Sequence, residues 1–321
     1  MRWTIRGLLT GVLIFGLAGE TWAASDVPVL SLGHSPHFGT YHYLYGLMAG
    51  KLQPQGLRID FKPMWSAQIN NLMVAGKLDS GVMSISAYVI GRAKGFPYVA
   101  IGSGVTQIGR GANGLFVSAR SGVRTPKDLE GSRVGVAVAT ENVPHKGILK
   151  YRYGVDLGKI TWITKELPIL VALMEKGELD GAILWGDFFD KGLNDPRFRL
   201  LFGIAPEIKQ MLGVYPIVMI LTMQERLVRE RPQLVRAFLQ ALRESRDYVR
   251  ATNIDGVIDW YLKRRGEGDR VALLQGAGTS AMEFTFTPEE RRFMDTYAGW
   301  AKEFGLVDRK LPLKELIAES E

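Results

Sequence analysis

Apolar residues recur along the chain in short runs. Each run is followed by a polar loop and then by a stretch with helical spacing. In the first half, residues 29–33 predict a strand, 34–40 a polar loop and 41–50 a helix. Residues 57–63 predict the second strand, 64–67 a loop, 68–75 a helix and 80–85 a third strand. The second half repeats this order, with strands at 133–138, 160–163 and 181–185. Its intervening loops fall at 139–143 and 164–168, and its helices at 144–153 and 169–176. Apolar runs this short, bounded by turn residues, read as buried strands. Strands alternating with helices predict an α/β fold with parallel sheets covered by helices.

The repeat is visible residue by residue. Residues 72–83 read LMVAGKLDSGVM, and residues 173–184 read LMEKGELDGAIL. Each copy has a helix end, a glycine (Gly76 or Gly177) suited to the left-handed C′ position, and a small-residue strand. Two copies fall short of the three or more that a solenoid needs. They predict two Rossmann-like lobes. Residues 113–118 and 214–222 read as crossover strands forming a two-strand hinge. That assigns 27–115 and 222–321 to lobe 1 and 116–221 to lobe 2. A double crossover permits hinge closure around a ligand.

Beyond residue 221 the spacing is helical. Residues 224–250 carry Leu234, Phe238, Leu242 and Val249, with a break at Pro232. Thr287-Pro288-Glu289-Glu290 is a helix start, with Thr as N-cap, Pro at N1 and Glu at N3. The helix it opens carries Phe293, Tyr297 and Trp300, expected as core residues of extra C-terminal helices on lobe 1.

Ligands of open α/β sheets bind beyond the carboxyl ends of the strands. Those ends predict the site. Lobe 1 offers Ser35, His37, Phe38 and Thr40; then Trp65, Ser66 and Gln68; then Ser84, Ser86 and Tyr88. Lobe 2 offers Thr140, Glu141 and Asn142, then Trp185 and Asp187. Helix N-termini in these loops suit an anionic or strongly polar group. Trp65, Tyr88 and Trp185 suit stacking on a flat ligand, and Glu141 and Asp187 favour an amine-like or amidine-like edge. Ser66, Ser84, Thr140 and Asp187 are equally suited to capping helices. The four histidines, His34, His37, His42 and His145, fall at loop–helix junctions. Their spacing matches no zinc signature, so the reading carries no metal and no cofactor.

Composition narrows the class. Residues 1–23 predict a cleavable signal peptide: Arg2 and Arg6, an apolar stretch at 8–18, and Thr21-Trp22-Ala23 with cleavage after Ala23. Cysteine is absent, which excludes disulfides, thiolate metal sites and a lipoprotein anchor after the signal. The formal net charge is +7. The arginines of the C-terminal half, from Arg226 to Arg246, are mixed with glutamate as on a solvated helix, which argues against nucleic acid.

Three segments carry a family resemblance. They are Ala75-Gly76-Lys77-Leu78-Asp79, Ser84-Ile85-Ser86-Ala87 with Ala93-Lys94-Gly95-Phe96-Pro97, and residues 122–136 around Thr125-Pro126-Lys127-Asp128-Leu129. Over residues 29–240 the chain resembles the type 2 periplasmic solute-binding proteins for nitrate, taurine, aliphatic sulfonates and the thiamine pyrimidine precursor. The resemblance implies a monomeric periplasmic binding subunit of an ABC-type importer, partnered by a permease and an ATPase and closing on a small solute. A sulfonate, nitrate, carboxylate or pyrimidine-like ligand remains open. The chain departs from these relatives at Gly33-His34-Ser35-Pro36-His37, and without cysteine it lacks the iron motif of the thiamine-pyrimidine synthase branch. Residues 144–155 are also similar to dihydroxyphthalate decarboxylases. That leaves an enzyme on the same fold as an alternative, beside a periplasmic sensor. No nucleophile elbow, P-loop or zincin motif is present.

Overall fold

A computed structural model of the protein describes residues 27–266 and 268–318. The signal peptide expected at residues 1–23 lies outside them. The chain opens with β1 (Val29–His34), α1 (Phe38–Met48), β2 (Arg58–Pro63), α2 (Ser66–Val74), β3 (Ser80–Ser84), α3 (Ile85–Ala93) and β4 (Tyr98–Gln107). It continues with β5 (Asn113–Ser118), β6 (Arg133–Val136), α4 (Val143–Tyr151), β7 (Thr161–Thr164), α5 (Leu167–Lys176), β8 (Gly181–Trp185), α6 (Asp187–Asn194), β9 (Phe198–Gly203) and α7 (Ile204–Leu212). Then follow β10 (Ile217–Gln224), α8 (Glu225–Glu230), α9 (Pro232–Ala251), α10 (Ile254–Arg265), α11 (Arg270–Ala277), β11 (Ser280–Ala281), α12 (Pro288–Glu303) and α13 (Leu313–Leu316).

Two sheets result, ordered β11-β4-β10-β3-β1-β2 and β7-β6-β8-β5-β9. Within each, three strands run parallel: β2, β1 and β3 in one, β7, β6 and β8 in the other. The expected parallel sheets are thus mixed. β10 runs antiparallel between β3 and β4, and β5 runs antiparallel between β8 and β9. The physical reason is the crossing: a strand arriving from the other lobe enters the sheet from the opposite end. β5 pairs wholly within the second sheet and β10 wholly within the first. The boundaries expected at 115/116 and 221/222 fall inside these two strands.

The repeat has a packing basis. A Cβ on Gly81 would stand 2.4 Å from Ile69, and one on Gly135 would stand 2.5 Å from Leu170. These glycines let α2 and α5 lie directly on their sheets. Gly76 and Gly177 both adopt positive φ where those helices end, as the repeated segments require. The C-terminal helices begin as expected, with breaks at Pro232 and at the Thr287 capping box. α12 packs on α3 and β10 of the first sheet and on α4 of the second. Its Tyr297 and Trp300 join a hydrophobic cluster that runs through both lobes.

Candidate functional site

The carboxyl ends of the six parallel strands open onto one cleft between the sheets, with a cavity of about 1750 Å³. In lobe 1, β1 delivers the chain to His37, which caps α1 by accepting a hydrogen bond from the Gly39 N–H at its Nδ1 (3.3 Å). β2 delivers it to Trp65, which is 56% exposed. β3 ends at Ser84, whose Oγ caps α3 by accepting from the Ala87 N–H (3.3 Å). The Ser84 N–H donates to Ser66 Oγ (3.1 Å), and Ser86 Oγ lies 3.3 Å from Ser84 Oγ. One small hydroxyl network therefore ties two of the three lobe 1 junctions together.

In lobe 2, β6 leads into a tight turn, Ala139–Asn142, that carries Thr140 and Glu141. β8 ends at Trp185 and turns sharply at Gly186 into α6, led by Asp187. Two of the contacts between the lobes lie at this cleft. The Ser84 hydroxyl donates to the Glu141 carboxyl, and burial raises the Glu141 pKa against that bond. The His37 Nε2 lies 3.5 Å from where a Cβ on Gly186 would stand. His37 is open to the cleft, yet the protein around it lowers its pKa, with Asp187 and Asp190 acting in the opposite sense.

Twelve of the residues singled out from sequence line this cleft: Ser35, His37, Phe38, Thr40, Trp65, Ser66, Ser84, Ser86, Thr140, Glu141, Trp185 and Asp187. Three stand elsewhere. Tyr88 is 0% exposed; its hydroxyl donates to the Leu316 carbonyl and accepts from the Ala100 N–H (3.0 Å), which makes it a core residue. Gln68 turns back to accept from the Trp65 N–H (3.2 Å) and so caps α2. Asn142 is buried and lines a side pocket of about 20 Å³ next to Glu141 and Trp185.

Sequence reasoning missed Gln107, Asn113, Tyr261 and Tyr297, all of which line the cleft. The available signal for the first two was a polar residue at the end of β4 and another at the start of β5. Tyr297 carried no such signal, because it sits in the apolar stripe of α12. The histidines other than His37 are buried. Burial lowers His34 and His42 to about 4 and His145 to about 3. His34 Nδ1 donates to the Ser35 carbonyl (3.1 Å), while neither ring nitrogen of His145 has a partner. Among the described residues, no group of three or more His, Cys, Asp or Glu is placed to hold a metal.

Comparison with known proteins agrees with this architecture. The chain is 14% identical to the periplasmic aliphatic sulphonate binding protein SsuA from Escherichia coli, with a TM-score of 0.75 over 91% of this chain and 92% of that one. It is 15% identical to the alkanesulfonate-binding protein SsuA from Xanthomonas axonopodis pv. citri bound to MOPS, with a TM-score of 0.69 over 91% and 98% of the two chains. Likeness at this level carries the fold, that of a type 2 periplasmic binding protein. A curated relative, 4,5-dihydroxyphthalate decarboxylase of Comamonas testosteroni, is 28% identical over 198 residues. That match spans 51% of this chain and 59% of the relative's length. The family model described as NMT1/THI5 like matches residues 43–252, which hold all three parallel strands of the second sheet and the cleft junctions after β2, β3, β6, β7 and β8; the chain belongs to that family.

Proposed function

We propose that the protein is the solute-binding component of an ABC-type importer, exported to the periplasm and working there as a monomer. In this reading residues 1–23 are the signal peptide, and the lobes close about β5 and β10 on a small polar or aromatic solute. The observation that carries the reading is the cleft: junctions of two matched lobes face each other across it and already touch at Glu141 and Ser84. Trp65, Trp185, Phe38 and Tyr261 give it aromatic walls, and the helix starts at Ser84 and His37 give it polar ones. Such a mixture of apolar walls and few placed polar groups is usual for small-molecule sites. The sulfonate-binding proteins that share the fold support the same role.

A screen of sulfonates, nitrate, pyrimidines and aromatic acids by thermal shift tests it, because a ligand stabilises the form it binds. One compound should raise the melting temperature, bind at one-to-one stoichiometry and be recovered unchanged. Chemical turnover of the bound compound would refute the assignment. The decarboxylase relative favours a second reading, an enzyme acting on an aromatic acid in the same cleft. Release of carbon dioxide from 4,5-dihydroxyphthalate by the purified protein would establish it in place of the first.

A further inference from the structure

We propose that the part of the cleft lined by Glu141, Tyr297 and Asn113 is a subsite for a cationic nitrogen at one end of the ligand. The proposal rests on the solute-binding reading and adds the chemical class of the solute. Tyr297 reaches the cleft from α12 and is 0% exposed, and its hydroxyl has no hydrogen-bond partner. It lies close enough to Glu141 for the two to interact electrostatically. Asn113 begins β5, directly opposite Trp185 of β8, and its buried Oδ1 is also without a partner. Asn113, Glu141 and Trp185 share the wall of the side pocket as well as the cleft, so they are neighbours.

The charge balance selects the ligand. Burial raises the Glu141 carboxyl and the Ser84 hydroxyl lowers it, and among the described residues Glu141 forms no ion pair. A carboxylate taken out of water without a cation is costly, and it either keeps its proton or acquires a partner. An ammonium or amidinium supplies that partner. The Tyr297 hydroxyl and the Asn113 carbonyl then accept its remaining N–H groups, beside Trp185 in the cleft wall. A sulfonate or carboxylate at the same point would meet a like charge. The acceptor set therefore orients an amphipathic ligand with its nitrogen inward and its apolar part toward Trp65 at the mouth.

Calorimetry on the full chain, with benzamidinium and benzylammonium against benzenesulfonate and benzoate, tests the assignment. Benzamidinium should bind one to one and at least about tenfold more tightly than either anion, and Glu141→Gln should remove about a tenfold share of that affinity. Tyr297→Phe, which deletes only an unpartnered hydroxyl, should weaken benzamidinium without lowering the melting temperature. Tighter binding of benzenesulfonate or benzoate overturns the subsite yet leaves a solute-binding protein with an anionic ligand. Failure of benzamidinium to bind at millimolar concentration overturns it too, as does equal binding by both variants. Turnover of 4,5-dihydroxyphthalate would remove the solute-binding reading itself.

Discussion

Gly147→Ala tests how the two lobes are joined behind the cleft. Gly147 lies on α4, which follows β6 of the second sheet, and faces Trp300 of α12, which packs on the first. A Cβ on Gly147 would stand 2.7 to 2.8 Å from three atoms of the indole. Carbon atoms in contact sit about 3.5–4.0 Å apart, so the helices must separate by roughly 1 Å. The indole has little freedom to yield. Tyr151 stacks against it at 6.0 Å between ring centres and 14° between planes, and Glu303 holds both Lys150 and the Tyr151 hydroxyl. Overpacking of this kind costs about 1–3 kcal/mol. At roughly 2–4 °C per kcal/mol for a chain of this order, the melting temperature should fall by about 2–12 °C. Gly299→Ala is the control. It lies mid-helix on α12 with no atom within 4 Å of the added methyl, and should stabilise by about 0.5–1 kcal/mol. Thermal and urea unfolding followed by circular dichroism measure both. A Gly147→Ala protein that melts with the wild type, or a Gly299→Ala protein less stable than Gly147→Ala, would refute the interlobe contact.

Three further predictions follow from side chains away from the hinge. His34, His42 and His145 stay neutral in the fold down to about 4, 4 and 3, whereas the unfolded chain protonates near 6.5. Their contribution is complete above pH 6.5 and lost as pH falls toward 4, at up to about 1.4 kcal/mol per pH unit for each. Glu141, raised by burial, opposes this loss. His145→Gln should flatten the fall of melting temperature between neutral and mildly acid pH; an unchanged slope would contradict its burial as the neutral form. Thr287→Ala removes the cap that accepts from the Glu290 N–H at 3.1 Å and should cost about 0.5–2 kcal/mol in urea unfolding, with ligand affinity intact. Tyr88→Phe strands the buried Leu316 carbonyl and Ala100 N–H and should cost about 1–3 kcal/mol, again with no change in ligand affinity. Weakened ligand binding in that variant would return Tyr88 to the cleft.

Local pattern accounts for much of what was legible. The strand and helix periods, the C′ glycines at Gly76 and Gly177 and the capping box at Thr287 are determined within a few residues of chain, and the fold keeps them. So are the junctions after parallel strands, which is why residues as distant as Ser35, Trp65, Ser84, Glu141 and Trp185 line one cleft. Tyr88 looked like its neighbours Ser84 and Ser86 in this respect. It lies one helical turn further on, and α3 carries it away from the cleft to the Leu316 carbonyl.

The chain's own order of apolar and polar residues thus determined two repeated α/β units and the loops that serve them, because strand and helix periods are short-range properties. Tertiary structure alone decided how the units interlock. The chain changes sheets on the way into β5 and into β10, and each runs antiparallel because it enters from the far side. It also brought Gln107, Asn113 and Tyr297 to the cleft, since side chains on β4, β5 and α12 become neighbours only when the sheets close on each other. An unpartnered hydroxyl or a carboxyl without a cation is a property of that packing, and no local stretch of sequence contains it.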